Sequence, residues 1–158
     1  RRNGLLQIIN SNSINPTFNK SRNSMSDFNS NQITVINSTF EMSNTGEIHF
    51  GEVVQQLISI GIESYSVDYR RGETTYYLPN GNSLRLKFDA RPEKISKNFD
   101  AAKIKSTILQ AQSGTVMYPE FKDLTYEAGC IGYIVWINGK KVQYFGCNGD
   151  IHTELFPQ

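Results

Sequence analysis

The residues best placed to do chemistry in this sequence are His152 and Glu154, close to the C-terminus. They alternate with Ile151, Thr153 and Leu155, so a β-strand would put the His and the carboxylate on one face and the other three on the opposite face. Such a pair can act as a general acid and base or supply half of a metal site. The simpler interpretation, which we favour, is that both side chains lie on the solvent-exposed face of an edge strand.

A metal site would need a third ligand beside that pair. His49, Glu120 and Asp150 are candidates only because the expected fold could bring them near. Two cysteines are too few for a four-ligand zinc site or a disulfide-rich scaffold. The sequence also has no phosphate-binding loop, dinucleotide fingerprint or nucleophile elbow. We therefore expect neither a metal nor a cofactor.

Cys130 is the candidate nucleophile, because it follows the helix-ending Gly129 and opens a strand. A catalytic thiol needs a base and a lowered pKa, and His152 is the nearest base along the chain. The alternative, which we favour, is a small buried apolar residue. Cys147 precedes an Asn-Gly turn, so we expect it to be exposed and oxidisable, without a disulfide to Cys130.

Aromatic residues are frequent in the strand candidates, and Tyr76, Trp136 and Tyr144 are the candidate ligand-binding residues among them. An aromatic sheet face can stack bases, but that mode normally needs interleaved basic residues. The chain holds 16 Lys and Arg against 15 Asp and Glu, a net charge of +1, and the basic residues near the aromatics cluster at turns. We therefore expect no nucleic-acid partner; aromatic residues are also ordinary strand formers.

An internal repeat indicates which elements hold these residues. Residues 61–67 (GIESYSV) align without gaps on 129–135 (GCIGYIV), and the same offset places Tyr76 on Tyr144 and Asn80-Gly81 on Asn148-Gly149. We interpret this as a duplicated unit covering about 49–88 and 117–156. Each copy is expected to contain one helix, ended by Gly61 or Gly129, and three strands.

The predicted fold class is α+β, in the order α-βββ-α-α-βββ, with antiparallel sheet or sheets packed against helices. A further helix, starting at Asn98 or Asp100 and running through Gln112, separates the copies. Asn-Gly pairs indicate tight hairpins, because the favoured two-residue turn needs positive φ at both positions. The strand candidates are 64–69, 74–78, 83–88, 131–137, 141–145 and 151–156.

The first 44 residues differ in composition from the rest, with ten Asn and eight Ser and no persistent period. Such a segment buries too little apolar surface to offset its ordering entropy. We expect residues 1–44 to be a disordered or read-through leader, with translation starting at Met25 or Met42, and residues 45–158 to form a single domain. No apolar run is long enough to cross a membrane, so a soluble, cytoplasmic protein is expected.

Several separated motifs resemble one bacterial family. They are YPEF at 118–121, AGCIGY at 128–133, YFG at 144–146 and HTELFP at 152–157, with EIHFGE at 47–52 and TTYYLP at 74–79 in the first copy. Together they are similar to the YbcV-like proteins of unknown function, sometimes labelled phage envelope proteins. The resemblance covers about residues 45–158 and implies a small bacterial protein without an assigned activity.

The functional expectation is a non-catalytic binding or interaction module, for which a second copy of the chain is one candidate partner. The alternative is a small enzyme or ligand-binding protein that uses His152 and Glu154 in a cleft between the repeats. A phage-derived structural part is a third class, which depends on the label alone.

Overall fold

A computed structural model describes residues 27–158, and its first long element is a helix, α1 (Ser30–Thr45). Asn29 begins it with a capping box: its side chain accepts from the Gln32 N–H at 2.7 Å, and the Gln32 side chain accepts from the Asn29 N–H at 2.9 Å. Ile36 and Thr39 on this helix are fully buried. The expected disordered leader is therefore wrong for residues 30–44, and residues 1–26 lie outside the described part.

Three further α-helices follow, and they agree closely with the sequence predictions. They are α2 (Phe50–Ser59), α3 (Ala101–Gln112) and α4 (Tyr118–Glu127), with a short 3₁₀ turn at Pro92–Lys94. Asp100 caps α3 by accepting from the Lys103 N–H. None of the helices in residues 27–158 is long and apolar enough to cross a bilayer.

The six strands form a single antiparallel sheet in the order β3-β2-β1-β4-β5-β6. The sequence left open whether the two sets of three strands join. They do so through β1 and β4, where Tyr65 lies opposite Val135 and Val67 opposite Tyr133. The bounds are β1 (Ser64–Asp68), β2 (Glu73–Tyr77), β3 (Ser83–Lys87), β4 (Cys130–Trp136), β5 (Lys141–Gly146) and β6 (Ile151–Leu155).

The hairpins exist where predicted, but their turns are not of the expected two-residue type. Tyr77 pairs with Ser83 across the first Asn-Gly turn, and Trp136 pairs with Lys141 across the second, so each loop is longer than two residues. Asn80, Asn138 and Asn148 do not take positive φ. In a longer loop a single left-handed residue can close the turn, so a paired positive φ is not needed.

The helices pack on the sheet face that carries Tyr65, Tyr76, Tyr133 and Tyr144. Alternation puts the neighbours of these residues on the outer face, where many side chains are exposed. The observed order is therefore α-α-βββ-α-α-βββ, an α+β arrangement with one helix more than expected.

Candidate ligand-binding site

A cavity of about 830 Å³ lies between the inner face of the sheet and the helices. All four helices and strands β1, β2, β4, β5 and β6 contribute to its wall. This volume falls within the range of small-molecule sites. The aliphatic part of the wall comes from residues such as Ile48, Val53, Val67, Ile108, Val116 and Val142.

The sheet side of the cavity is a surface of four tyrosine rings. Tyr65 on β1 stacks on Tyr76 on β2, with ring centroids 5.5 Å apart and planes at 30°. Tyr133 on β4 and Tyr144 on β5 form a second pair, also 5.5 Å apart, with planes at 41°. All four side chains are more than nine-tenths buried and line the cavity. The strands therefore present two aromatic pairs side by side.

Three of these tyrosines have no hydrogen-bond partner for the hydroxyl among residues 27–158. Tyr133 donates to the hydroxyl of Tyr118 at 2.7 Å. Within residues 27–158, the hydroxyls of Tyr65, Tyr76 and Tyr144 make no side-chain hydrogen bond, yet no fully enclosed side-chain nitrogen or oxygen in the described chain lacks a partner. All three side chains line the cavity, so the cavity is the space onto which these oxygens can open.

The tyrosine hydroxyls are neutral hydrogen-bonding groups at physiological pH. Burial raises the pKa of Tyr65, Tyr76 and Tyr144 well above the ordinary value of 10.0, and the neighbouring tyrosines raise it further. Each hydroxyl can both donate and accept a hydrogen bond. The wall thus offers three free hydroxyls without adding a negative charge.

His152 and Glu154 face the helices, which corrects the solvated face favoured from the sequence. Their direct partners across the strand pair are Tyr144 and Val142, which are buried inner residues. Ile151 and Leu155 are instead 55% and 67% exposed, and alternation puts them on the opposite face, although Leu155, at the end of the strand, also borders the cavity. The apolar side chains of β6 are exposed because the helices cover the face of the strand that carries His152 and Glu154.

Lys105 on α3 is the third residue of this cluster, and it was not predicted from the sequence. Its Nζ lies 2.6 Å from Glu154 Oε2, while Nε2 of His152 lies 3.1 Å from Glu154 Oε1. Burial alone would raise the pKa of Glu154, but the hydrogen bonds and charge of Lys105, with those of His152, lower it below its ordinary value. Glu154 lines the cavity as a carboxylate that already has a cationic partner.

The three candidate third ligands do not join His152 and Glu154. His49, Glu120 and Asp150 are exposed, and His49 lies at the rim of the cavity, near Gly114. In the part of the chain that the structure covers, no group of three or more His, Cys, Asp and Glu side chains could hold a metal ion.

Cys130 and Cys147 occupy different environments. Cys130 is fully buried, and its thiol donates to the carbonyl of Gly132 at 3.3 Å. Burial raises its pKa to about 11, although backbone hydrogen bonds oppose this effect. A thiol with this pKa is a poor nucleophile at neutral pH. Cys147 is exposed, as expected, and both cysteines are free.

Of the three predicted ligand-binding residues, Tyr76 and Tyr144 line the cavity, whereas Trp136 does not. Trp136 follows the inner residue Val135 and so points to the outer face, where its indole N–H donates to Gln143 Oε1 at 2.9 Å. Tyr65 and Tyr133 were not singled out from the sequence; the 68-residue offset that places Tyr76 on Tyr144 also places Tyr65 on Tyr133, and this was the signal that could have identified them.

The cavity opens to solvent beside the first turn of α2. His49, Phe50 and Glu52 are exposed there and also line the cavity, as do the end of α3 and the C-terminal segment. The ring of Phe50 meets Phe156 edge to face, with centroids 6.1 Å apart. These two aromatic side chains mark the rim through which a small molecule would enter.

Comparison with known proteins gives a family but no activity. Residues 37–154 match a family model described as "Protein of unknown function (DUF1398)". No curated protein matches the chain. The prediction of an uncharacterised family is confirmed, and the match begins inside α1, so residues 37–45 of this helix lie within the family domain.

Proposed function

Since the chain belongs to the DUF1398 family, whose function is unknown, we propose from its cavity that it is a small-molecule-binding protein. The observation that carries this proposal is a space of about 830 Å³ lined by Tyr65, Tyr76 and Tyr144, whose hydroxyls have no side-chain partner among residues 27–158. The proposal narrows the binding module expected from the sequence to a ligand site between the sheet and the helices.

The packing of proteins supports this interpretation. Protein interiors are close-packed, and voids larger than a water molecule are few. Pockets of this size that are lined mainly by apolar and aromatic side chains, with a few polar groups, are typical of ligand sites. Buried polar groups are also normally hydrogen-bonded. A space of this size with free hydroxyls is therefore expected where a ligand supplies the missing contacts.

A duplication of the chain would explain how the site is built, and we propose it with the binding function. Shifting α2 (Phe50–Ser59) by 68 residues gives the bounds of α4, and shifting β3 gives those of β6. The same shift relates Tyr65 to Tyr133 and Tyr76 to Tyr144. The two aromatic pairs would then be equivalent parts of two copies that meet at β1 and β4, with α1 the counterpart of α3.

An enzymatic role is less well supported than binding. Glu154 is the charged residue of the pair that reaches the cavity, but Lys105 holds its carboxylate. Cys130 is buried, and its thiol is directed to Gly132 rather than to His152. The YbcV-like name, the phage label, self-association and a cytoplasmic location stay predictions.

A thermal-shift screen with a cavity-filling variant tests the binding function. Ala111 lies on the cavity wall, whereas Ala102 on the same helix is exposed. A ligand at 100 times its Kd stabilises a protein by about 2.7 kcal/mol, which is several degrees in Tm for a domain of this size. We expect compounds that raise the Tm of the full chain and of Ala102→Trp, but not that of a folded Ala111→Trp. Compounds that stabilise all three proteins equally would contradict the proposal.

A further inference from the structure

The wall of the cavity also defines the chemistry of its ligand. We propose that it takes an uncharged, flat aromatic molecule of two or more rings with at least one hydrogen-bonding group. This inference rests on the proposed binding function and adds the charge, shape and polarity of the ligand.

The charges on the wall of the cavity disfavour an anionic ligand. Among residues 27–158, no Lys or Arg lines the cavity, and the charged side chains on its wall are the carboxylates of Glu52 and Glu154. His49, which could become cationic, is exposed at the rim. The nearest cations are already engaged: Lys105 pairs with Glu154, and Lys122 donates to Oδ1 of the lining residue Asn44 at 2.9 Å. An anion would therefore lose its hydration and gain at most a shared counter-ion, and a poorly paired charge taken from water costs several kcal/mol.

A cationic ligand is disfavoured because the carboxylate inside the cavity is already paired. Glu154 accepts from Lys105 at 2.6 Å and contacts His152 at 3.1 Å. A ligand ammonium would have to displace Lys105 or share its carboxylate. Glu52 lies on the exposed first turn of α2, where its Oε1 accepts from the His49 N–H at 3.3 Å, so solvent screens it. The balanced interior therefore favours a neutral molecule.

The tyrosine pairs determine the shape and the polarity. Two ring pairs, Tyr65 with Tyr76 and Tyr133 with Tyr144, form an extended aromatic surface on one side of the cavity. Flat aromatic molecules pack on such rings in offset-stacked or edge-to-face arrangements. The three free hydroxyls are spread over β1, β2 and β5, so they can hydrogen-bond polar groups at more than one edge of a flat ligand.

The test compares matched fluorescent probes that differ in charge. N-phenyl-1-naphthylamine is neutral, 1-anilinonaphthalene-8-sulfonate adds a sulfonate to the same rings, and a trimethylammonium derivative adds a cation. We expect saturable binding of the neutral probe to the full chain, with each charged probe at least about tenfold weaker. A sulfonate that binds as tightly as the neutral probe, or an ammonium that binds more tightly, overturns the charge inference.

Single-hydroxyl variants test where the neutral probe binds. Tyr76→Phe and Tyr144→Phe remove hydroxyls that face the cavity, whereas Tyr77→Phe makes the same change on the outer face of β2. We expect a neutral probe with a hydrogen-bonding group to lose about two- to tenfold in affinity for one or both inner variants and none for Tyr77→Phe.

The outcomes separate this inference from the proposed function. Equal affinity for all three variants overturns the role of the hydroxyls. If the charged probes bind and Ala111→Trp abolishes that binding, the ligand class is overturned, but the cavity remains the binding site. If every probe still binds to Ala111→Trp and the thermal-shift screen also fails, both the ligand class and the proposed binding function are overturned.

Discussion

The two glycines that follow helices α2 and α4 provide a sharp test of the packing around the site. Gly61 follows α2 and Gly129 follows α4, with φ of +81° and +79°. A Cβ on Gly61 would meet no atom within 4 Å, whereas a Cβ on Gly129 would lie 2.3 Å from the carbonyl oxygen of Asn98 and 3.0 Å from the Cα of Phe99. The same substitution, Gly→Ala, therefore has different steric consequences at the two positions.

The expected costs follow from these distances. Left-handed backbone costs a residue with a Cβ about 1–2 kcal/mol, and both variants incur this penalty. Gly129→Ala must in addition move the segment that begins α3, where the Asp100 N–H donates to the Ala128 carbonyl at 2.8 Å. Overpacking of this kind adds about 1–3 kcal/mol. We expect Gly61→Ala to lose about 1–2 kcal/mol and Gly129→Ala about 2–5 kcal/mol of unfolding free energy.

Urea denaturation of the two variants and of the unmodified chain measures the difference. The midpoints and slopes give the free energies of unfolding, and equal slopes would show that the comparison is valid. Equal losses at the two glycines would refute the close approach of Gly129 to Asn98. A larger loss at Gly61 would refute the whole argument, because nothing in the structure restricts a Cβ there.

Three substitutions and one alkylation reaction test the site and the core. Glu154→Gln should lower the unfolding free energy by about 1 kcal/mol at neutral pH. Because the pKa of Glu154 is lowered in the folded state, the stability difference between the unmodified chain and the variant should shrink as the pH falls below 4.5. A stability difference that stays constant with pH would contradict this prediction. Tyr69→Phe removes a buried hydroxyl hydrogen bond and should cost about 1 kcal/mol, whereas Tyr76→Phe should cost little by urea denaturation. Iodoacetamide at pH 7 should alkylate the exposed Cys147 quickly and the buried Cys130 only when the protein unfolds. Peptide mass spectrometry measures the two alkylation rates. Comparable rates for the two cysteines would show that the core opens readily.

The fold was largely predictable because its local signals are strong. Gly61 and Gly129 mark the helix ends, the strands alternate, and the positions of the hairpins follow from the Asn-Gly pairs. Helix α1 was missed because an Asn- and Ser-rich composition outweighed two weaker signals, the Asn29–Gln32 capping box and the apolar spacing of Ile33 and Ile36.

The site was predictable only in part, because it depends on contacts between distant segments. The sequence identified Tyr76 and Tyr144 as binding candidates, and strand alternation grouped His152 with Glu154. The sequence could not show which face of the sheet the helices cover. Because they cover the face that carries His152 and Glu154, these two side chains lie on the inner side. Lys105 lies 49 residues before Glu154 on another element, so no local pattern connects them.

Intermolecular nuclear Overhauser effects between a bound neutral aromatic probe and the protein test the central claim most directly. The account predicts contacts from the probe to the ring protons of Tyr65, Tyr76 and Tyr144 on the inner face of the sheet. Contacts confined to Trp136 and Tyr77 on the outer face would contradict it, because the cavity would then not be the binding site.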